Sequence, residues 1–444
     1  MKVVARVIGA AGLALVLFVV GGLGLFHRSE KQAAPVTHVA TQALSATPLV
    51  GAASLSEVIA GLQERLRALP TDWQSYANLG LAYVQQARVT ADPSYYPKAQ
   101  GVLARSLSLH GSDNVAALTG MAALAAARHD FSGALSWAKQ AETANPDNAD
   151  VQAILGDSLV ELGRYDQAFH TFQRMMDLRP ELSTYARVSY AWELRGSLAG
   201  ALQAMDLALH AAATPTDAAW ASNQIGDLYW NGGEVDGAET WYRRAISEEP
   251  SFVPPHAGLA RVQAARGELD RAIETFTWVV QRYPTPEYVI ALGDLYTVAR
   301  RPADAARQYA LVGAEERLLR AGGVNVELEI AMFDADHGVN LAEGLAAARQ
   351  EWARRHSIHV ADALGWALHA NGRDAEALAY ANRALELGTR NALFFFHRGM
   401  IDRSLGKRRS ARRDLATALR INPHFSTLWS ARAARILAGL GGPR

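Results

Sequence analysis

The chain has 444 residues, half of them hydrophobic, with 44 Lys and Arg set against 44 Asp and Glu and no cysteine. Balanced charge excludes a nucleic-acid binder driven by overall basicity. The missing cysteines exclude disulfide frameworks, zinc-thiolate sites, thiol nucleophiles and lipoprotein attachment.

At the amino terminus Lys2 and Arg6 precede an uninterrupted uncharged stretch of twenty residues, Val7 to Phe26. That length matches the roughly 20 residues that cross a bilayer's hydrocarbon core. A secretory signal core is shorter and ends at a small-x-small site, and here the nearest such site, Thr41-Gln42-Ala43, lies far downstream. Residues 1–26 are therefore expected to form a single-pass anchor, with the amino end in the cytoplasm and the rest exported. The alternatives are a cleaved signal on a secreted protein and a buried helix of the folded part. Residues 27–53, rich in Ala, Thr, Ser, Val and Pro, read as a flexible linker.

Order is expected to resume at Ser54, where Ser54-x-x-Glu57 is a capping-box signal before Val58, Leu62 and Leu66 on one helical face. This lone helix reads as a half-repeat that closes the start of an array spanning 54–425. From Trp73 onward one spacing of apolar and small residues returns about every 34 residues. Its clearest copy has Leu155 and Gly156 at a close helix approach, Gly163 as a helix stop, Ala168 and Phe172 on the second helix, and Pro180 after it. The same slots hold Leu79, Gly80 and Tyr83, then Gly226, Tyr229, Ala238 and Tyr242, then Leu292, Gly293, Tyr296 and Ala305, and finally Gly399, Gly406, Ala411 and Pro423. A helix pair cannot bury its apolar stripe alone, so such copies stack. Three places depart from the register: about seven extra residues near Thr90 to Tyr96, read as an extended inter-helix loop, about three near Ala212 to Asp217, and Val324 to His356, which lacks the usual Leu-Gly and Ala at their slots and has Gly344 instead. Ser426 to Leu440 reads as a last helix, within a 426–444 cap and tail.

This spacing resembles the tetratricopeptide repeat, whose W-x2-L-G-x2-Y…A-x3-F…P pattern it follows from Trp73 to Pro423. The resemblance implies an all-α right-handed superhelix of about ten helix pairs plus caps. It also implies that first helices line a concave groove and bind a protein or peptide through a few slots. Those slots hold Tyr190 and Glu193 in the fourth repeat, and Trp220, Asn223, Asp227, Trp230 and Asn231 in the fifth. Arg261 follows in the sixth, Asp294 in the seventh, Asp336 and His337 in the eighth, Trp366 in the ninth, and Phe396 and Arg403 in the tenth. The competing reading is that these aromatics fill inter-repeat packing, as Trp241, Tyr242 and Trp278 on second helices are expected to do.

No catalytic motif is present, so neither enzyme activity nor a cofactor is expected. His359, Asp362, Trp366 and His369 share one helix face and, with His337, form a candidate metal-binding set. Two histidines ten residues apart stand about 15 Å apart along a helix, which favours solvated or packing roles. Arg403, Lys407, Arg408, Arg409, Arg412 and Arg413 would form a basic end patch, either simply solvated or able to meet anionic lipid, polymer or an acidic partner. The sequence thus reads as a non-catalytic scaffold binding a protein partner at a membrane, with no nucleic acid and no small-molecule substrate. A metal- or small-ligand-handling accessory protein and a regulator of a partner enzyme are the alternatives.

Overall fold

The computed structural model describes residues 52–111 and 113–441, with side chains from residue 55 onward. The anchor and nearly all of the linker read at 1–53 lie outside these residues. Among the described residues there is no strand, and no helix is long and apolar enough to cross a membrane.

A lone helix, Ala52–Ala68, is followed by ten antiparallel pairs and a closing helix, Ser430–Gly439. Repeats one to five are Trp73–Thr90 with Tyr95–Leu109, Val115–Ala127 with Phe131–Ala144, Ala149–Glu161 with Tyr165–Leu178, Leu182–Leu194 with Leu198–His210, and Pro215–Asn231 with Val235–Glu248. Repeats six to ten are Pro254–Ala265 with Leu269–Arg282, Pro286–Val298 with Pro302–Ala321, Glu327–His337 with Leu341–Arg354, Ile358–Ala370 with Asp374–Ala384, and Ala392–Ser404 with Arg408–Ile421. First helices also pack on the first helices of neighbouring pairs, which places them on the inside of the curve.

The helices start and stop where side-chain chemistry permits. Asp72, Asn114, Asn148, Thr214 and Asn391 accept backbone N–H groups of the first turns they precede, satisfying donors that have no intrahelical partner. Within a pair, a glycine admits a large ring from the second helix. A Cβ on Gly156 would lie 2.2 Å from Phe172 Cε1, and one on Gly226 2.6 Å from Tyr242 Cε1. In the irregular eighth repeat the arrangement is reversed: Gly344 is on the second helix, and a Cβ there would lie 2.8 Å from Asp334 Cβ on the first.

Three boundaries differ from the sequence reading. The first helix begins at Ala52, so Ser54 sits inside it and not at its cap. The extra residues of the first repeat mostly lengthen its first helix to Thr90, with Ala91 left-handed at φ 55°, instead of forming a long loop. The closing helix starts at Ser430, four residues later than Ser426.

The superhelix is wound tightly enough that its second turn rests on its first, along a seam whose hydrogen bonds join residues 192 to 197 apart in sequence. Arg88 O accepts from Tyr283 Oη at 2.7 Å, and Arg128 O accepts from Asn325 N at 3.0 Å. Tyr165 Oη accepts from Ile358 N at 2.7 Å, Leu194 O accepts from Thr389 Oγ1, and Trp230 O accepts from Asn422 Nδ2 at 2.8 Å. The inner ends of repeats one to five therefore meet the connections that follow repeats six to ten, in step. Apolar contacts cross the seam too: Tyr165, Tyr190 and Leu194 share a core cluster with Ile358, Ala361 and Phe394. At its centre Arg355, 2% exposed, pairs with Glu161 and Glu351 and lies 4.8 Å from the Phe131 ring centroid.

The seam depends on missing side chains. A Cβ on Gly163, Gly196 or Gly233 would lie 2.3 to 2.5 Å from a carbonyl oxygen of the opposite turn. Gly267, Gly338, Gly372 and Gly406 occupy the same turns in later repeats, and among the described residues nothing lies within 4 Å of a Cβ there. Gly233 and Gly267 have matching left-handed backbones, φ 82° and 79°, so alanine strains both locally by about 1–2 kcal/mol. Only Gly233→Ala should also open the seam, seen as a larger radius of gyration in small-angle scattering; equal radii for the two variants would refute the contact. Arg355→Met leaves Glu161 and Glu351 buried without this cation and should lower stability by about 3–5 kcal/mol, read as a clear fall in melting temperature.

Candidate functional site

Tight winding decides what becomes of the expected groove. Trp220 is 2% exposed and packs among Leu182, Ala186, Met205 and Ile225. Trp230 is buried beside Tyr242 and Val262, with the Arg261 guanidinium 5.5 Å from its ring centroid. Tyr190 is buried, with Oη 3.3 Å from His359 Nε2 across the seam. Trp366 stacks on His397 at 4.1 Å and donates Nε1–H to Asp336 at 2.8 Å; Phe396 is also buried. These aromatics were expected as groove anchors and are packing residues, because neighbouring first helices close over them. Tyr242 is core as expected, whereas Trp241 and Trp278 are half-exposed, each beneath an arginine.

The polar members in repeats four to six do converge on the inner face, where they bind one another. Asp227 accepts from Asn223 Nδ2 at 3.0 Å, Tyr242 Oη at 2.8 Å and Arg261 Nη2 at 2.7 Å. Glu193 accepts from Asn231 Nδ2 at 2.9 Å. Asp227 and Arg261 each keep 25% of their side-chain surface accessible. Burial raises Glu193 to about 7, with Asn231 opposing and Asp227 adding to the shift. Glu287, in the same interior, is pushed by burial to about 7 against the charge of Arg261. Repeat five also carries four buried polar atoms without a hydrogen-bond partner among the described residues: Asp217 Oδ1, Trp220 Nε1, Asn223 Oδ1 and Gln224 Oε1. Their spacing puts them on one face of the helix that also carries Asp227.

The candidate metal set does not converge. His359 lies edge-on to Phe394 and is pushed by burial, with help from the Arg355 charge, to about 4. Asp362 accepts from His397 at 2.9 Å, His369 pairs with Asp374, and His337 pairs with Asp294 at 2.9 Å. Each is engaged separately, and among the described residues no group of three or more His, Asp or Glu is placed to hold a metal ion. Arg403 is exposed at the end of the tenth repeat's first helix, away from the inner polar set.

Several charged groups escaped the sequence reading. Asp157 takes both nitrogens of Arg187 at 2.8 and 2.7 Å, yet burial still raises it to about 6. Glu161 and Arg355 pair across the seam, 194 residues apart. Glu315 is 1% exposed, and neither of its oxygens has a partner among the described residues. Helical spacing marks none of these, since each is defined by a neighbour on another helix or another turn.

Two family models, both described as tetratricopeptide repeat, match the chain, one at residues 119–183, 155–218 and 258–317, the other at 221–252. The chain is 28% identical over 195 residues to cellulose synthase 1 operon protein C of Komagataeibacter xylinus, an alignment covering 41% of this chain and 15% of that protein. A human IFIT1 dimer with m7Gppp-AAAA has a similar course at 16% identity and TM-score 0.48, over 84% of this chain and 94% of that one. The Cut9–Hcn1 hetero-tetramer of the APC/C is similar at 15% identity and TM-score 0.43, over 90% and 83% of the two chains.

Burial raises the folded Glu315 to about 8, with the charge of Glu316 adding to the shift. The unfolded chain ionises near the ordinary glutamate value of 4.5, so the native state binds this proton more tightly than the unfolded one. Its stability is therefore full below about 4.5 and falls as pH rises towards 8. Glu315→Gln should raise the melting temperature at pH 8 relative to the parent and leave it little changed at pH 4.5. A difference independent of pH would show that Glu315 is not buried as a neutral acid.

Proposed function

The chain is a tetratricopeptide-repeat protein, and we propose that it works as a non-catalytic scaffold that holds a segment of a partner protein on its inner face. Stacked repeats of this family generally mediate protein–protein contact, and the described chain is taken up by the stack and its two end helices. The observation that carries the assignment is the polar inner face of repeats four to six. There Glu193, Asp227, Asn231 and Arg261 keep accessible surface, beside the unpartnered buried atoms of repeat five. Such a face recognises a partner by hydrogen bonds and charge, with the aromatics fixing its shape from behind.

The uncharged stretch Val7 to Phe26 supports a membrane setting, with the array tethered outside the cytoplasm. The relative from the cellulose synthase operon shares repeat sequence over 15% of its length. A scaffold role is what that overlap supports, and no polysaccharide is assigned from it.

Trp220 and Trp230 are poor probes of binding, because truncating a buried Trp costs about 3–5 kcal/mol of stability by itself. The double variant Asp227→Asn, Arg261→Gln removes the charge pair while keeping a polar side chain at both positions. Cross-linking on membranes carrying the full chain should capture a partner protein through a photoreactive residue at Asn231. In the double variant its yield should fall about tenfold. Capture at the parent level, with circular dichroism unchanged, would rule out this face.

A further inference from the structure

The end of the array carries a second surface that the inner face does not explain. Arg403, Lys407, Arg408, Arg409, Arg412 and Arg413 are all exposed. The nearby acids are buried and engaged: Asp414, 1% exposed, takes Arg398 Nε at 2.6 Å with Arg413 at 3.3 Å, and Asp402, 4% exposed, has Lys407 at 3.9 Å. Among the described residues, Arg403, Arg408, Arg409 and Arg412 have no carboxylate within 4.0 Å. The chain as a whole has no net charge, so this is a local excess.

The fold does not require these cations. The slots of Arg408, Arg409, Arg412 and Arg413 hold Asp374, Ala375, Leu378 and Ala379 one repeat earlier, and Val235, Asp236, Glu239 and Thr240 in repeat five. Four arginines there belong to the last repeat in place of packing or acidic residues. At the turn that opens the patch, a Cβ on Gly406 would meet nothing within 4 Å among the described residues, whereas one on Gly233 in repeat five would lie 2.5 Å from Ile421 O.

We propose that this patch docks an acidic segment of a partner protein, one presenting several Asp or Glu side chains. Guanidinium groups bind carboxylates through paired N–H donors, and the cluster is almost wholly arginine. A bilayer would be gripped better with apolar side chains beside the cations. Among the described residues the large exposed hydrophobics are Leu69, Trp192, Leu207, Val298, Leu311, Leu318 and Val339, and none lies within this stretch of sequence. Nucleic acid would favour exposed aromatics for stacking, and none of the exposed large hydrophobics belongs to the patch.

The test uses the purified full chain and a fluorescent peptide of alternating Glu and Gly, followed by fluorescence anisotropy at low and physiological salt. The triple variant R408E/R409E/R412E should bind about tenfold more weakly or worse, with unchanged circular dichroism, since these side chains lie exposed. The control R105E/K139E/R164E reverses three exposed cations elsewhere and should bind as the parent does. Asp227→Asn, Arg261→Gln should also leave peptide binding intact, which separates failure of this surface from failure of the inner face. Equal losses in patch and control variants, or no loss in the patch variant, would overturn the proposal. So would patch-dependent retention on phosphatidylserine vesicles without peptide binding, which would assign the patch to a lipid surface.

Discussion

The contact of one superhelical turn on the next is the constraint on which the other features depend. In an open solenoid each repeat touches only its neighbours, and stability is close to a sum of nearest-neighbour terms. Here repeats one to five also touch the connections following repeats six to ten. Much of that contact is made by helix ends. Arg88 O, Leu194 O and Trp230 O belong to the last turns of first helices, where carbonyls have no intrahelical donor. Tyr283, Thr389 and Asn422 supply the donors from the other turn. Gly163, Gly196 and Gly233 consequently serve twice: they provide the left-handed turn that ends a helix, and they let the opposing backbone approach.

Winding this tightly narrows the interior and changes its electrostatics. Charges on neighbouring first helices face one another at short range, so they pair, as in Asp157–Arg187 and Asp227–Arg261, and Glu161 pairs with Arg355 from the connection after repeat eight. Burial then raises carboxylates such as Glu193 and Glu287 to about 7, where partial protonation eases the desolvation of an ionised group. A partner segment entering this face would exchange existing hydrogen bonds for new ones, so discrimination would come from polar geometry more than from apolar area.

The repeat, its small-residue slots and most of its turns were legible in the sequence, because they follow from contacts within a pair or between adjacent pairs. Gly156 against Phe172 and Gly226 against Tyr242 are the spacings the sequence displays. The seam was not legible: Tyr165 with Ile358 and Trp230 with Asn422 are about six repeats apart, and no local pattern announces which residues will meet after a full turn. The aromatics of repeat five were misread for the same reason. Trp220 and Trp230 occupy slots that a wider superhelix would leave open, and here the closer approach of first helices buries them. Polar residues at the neighbouring slots, Asp227 and Arg261, were expected to face a partner and are instead paired with each other at 2.7 Å.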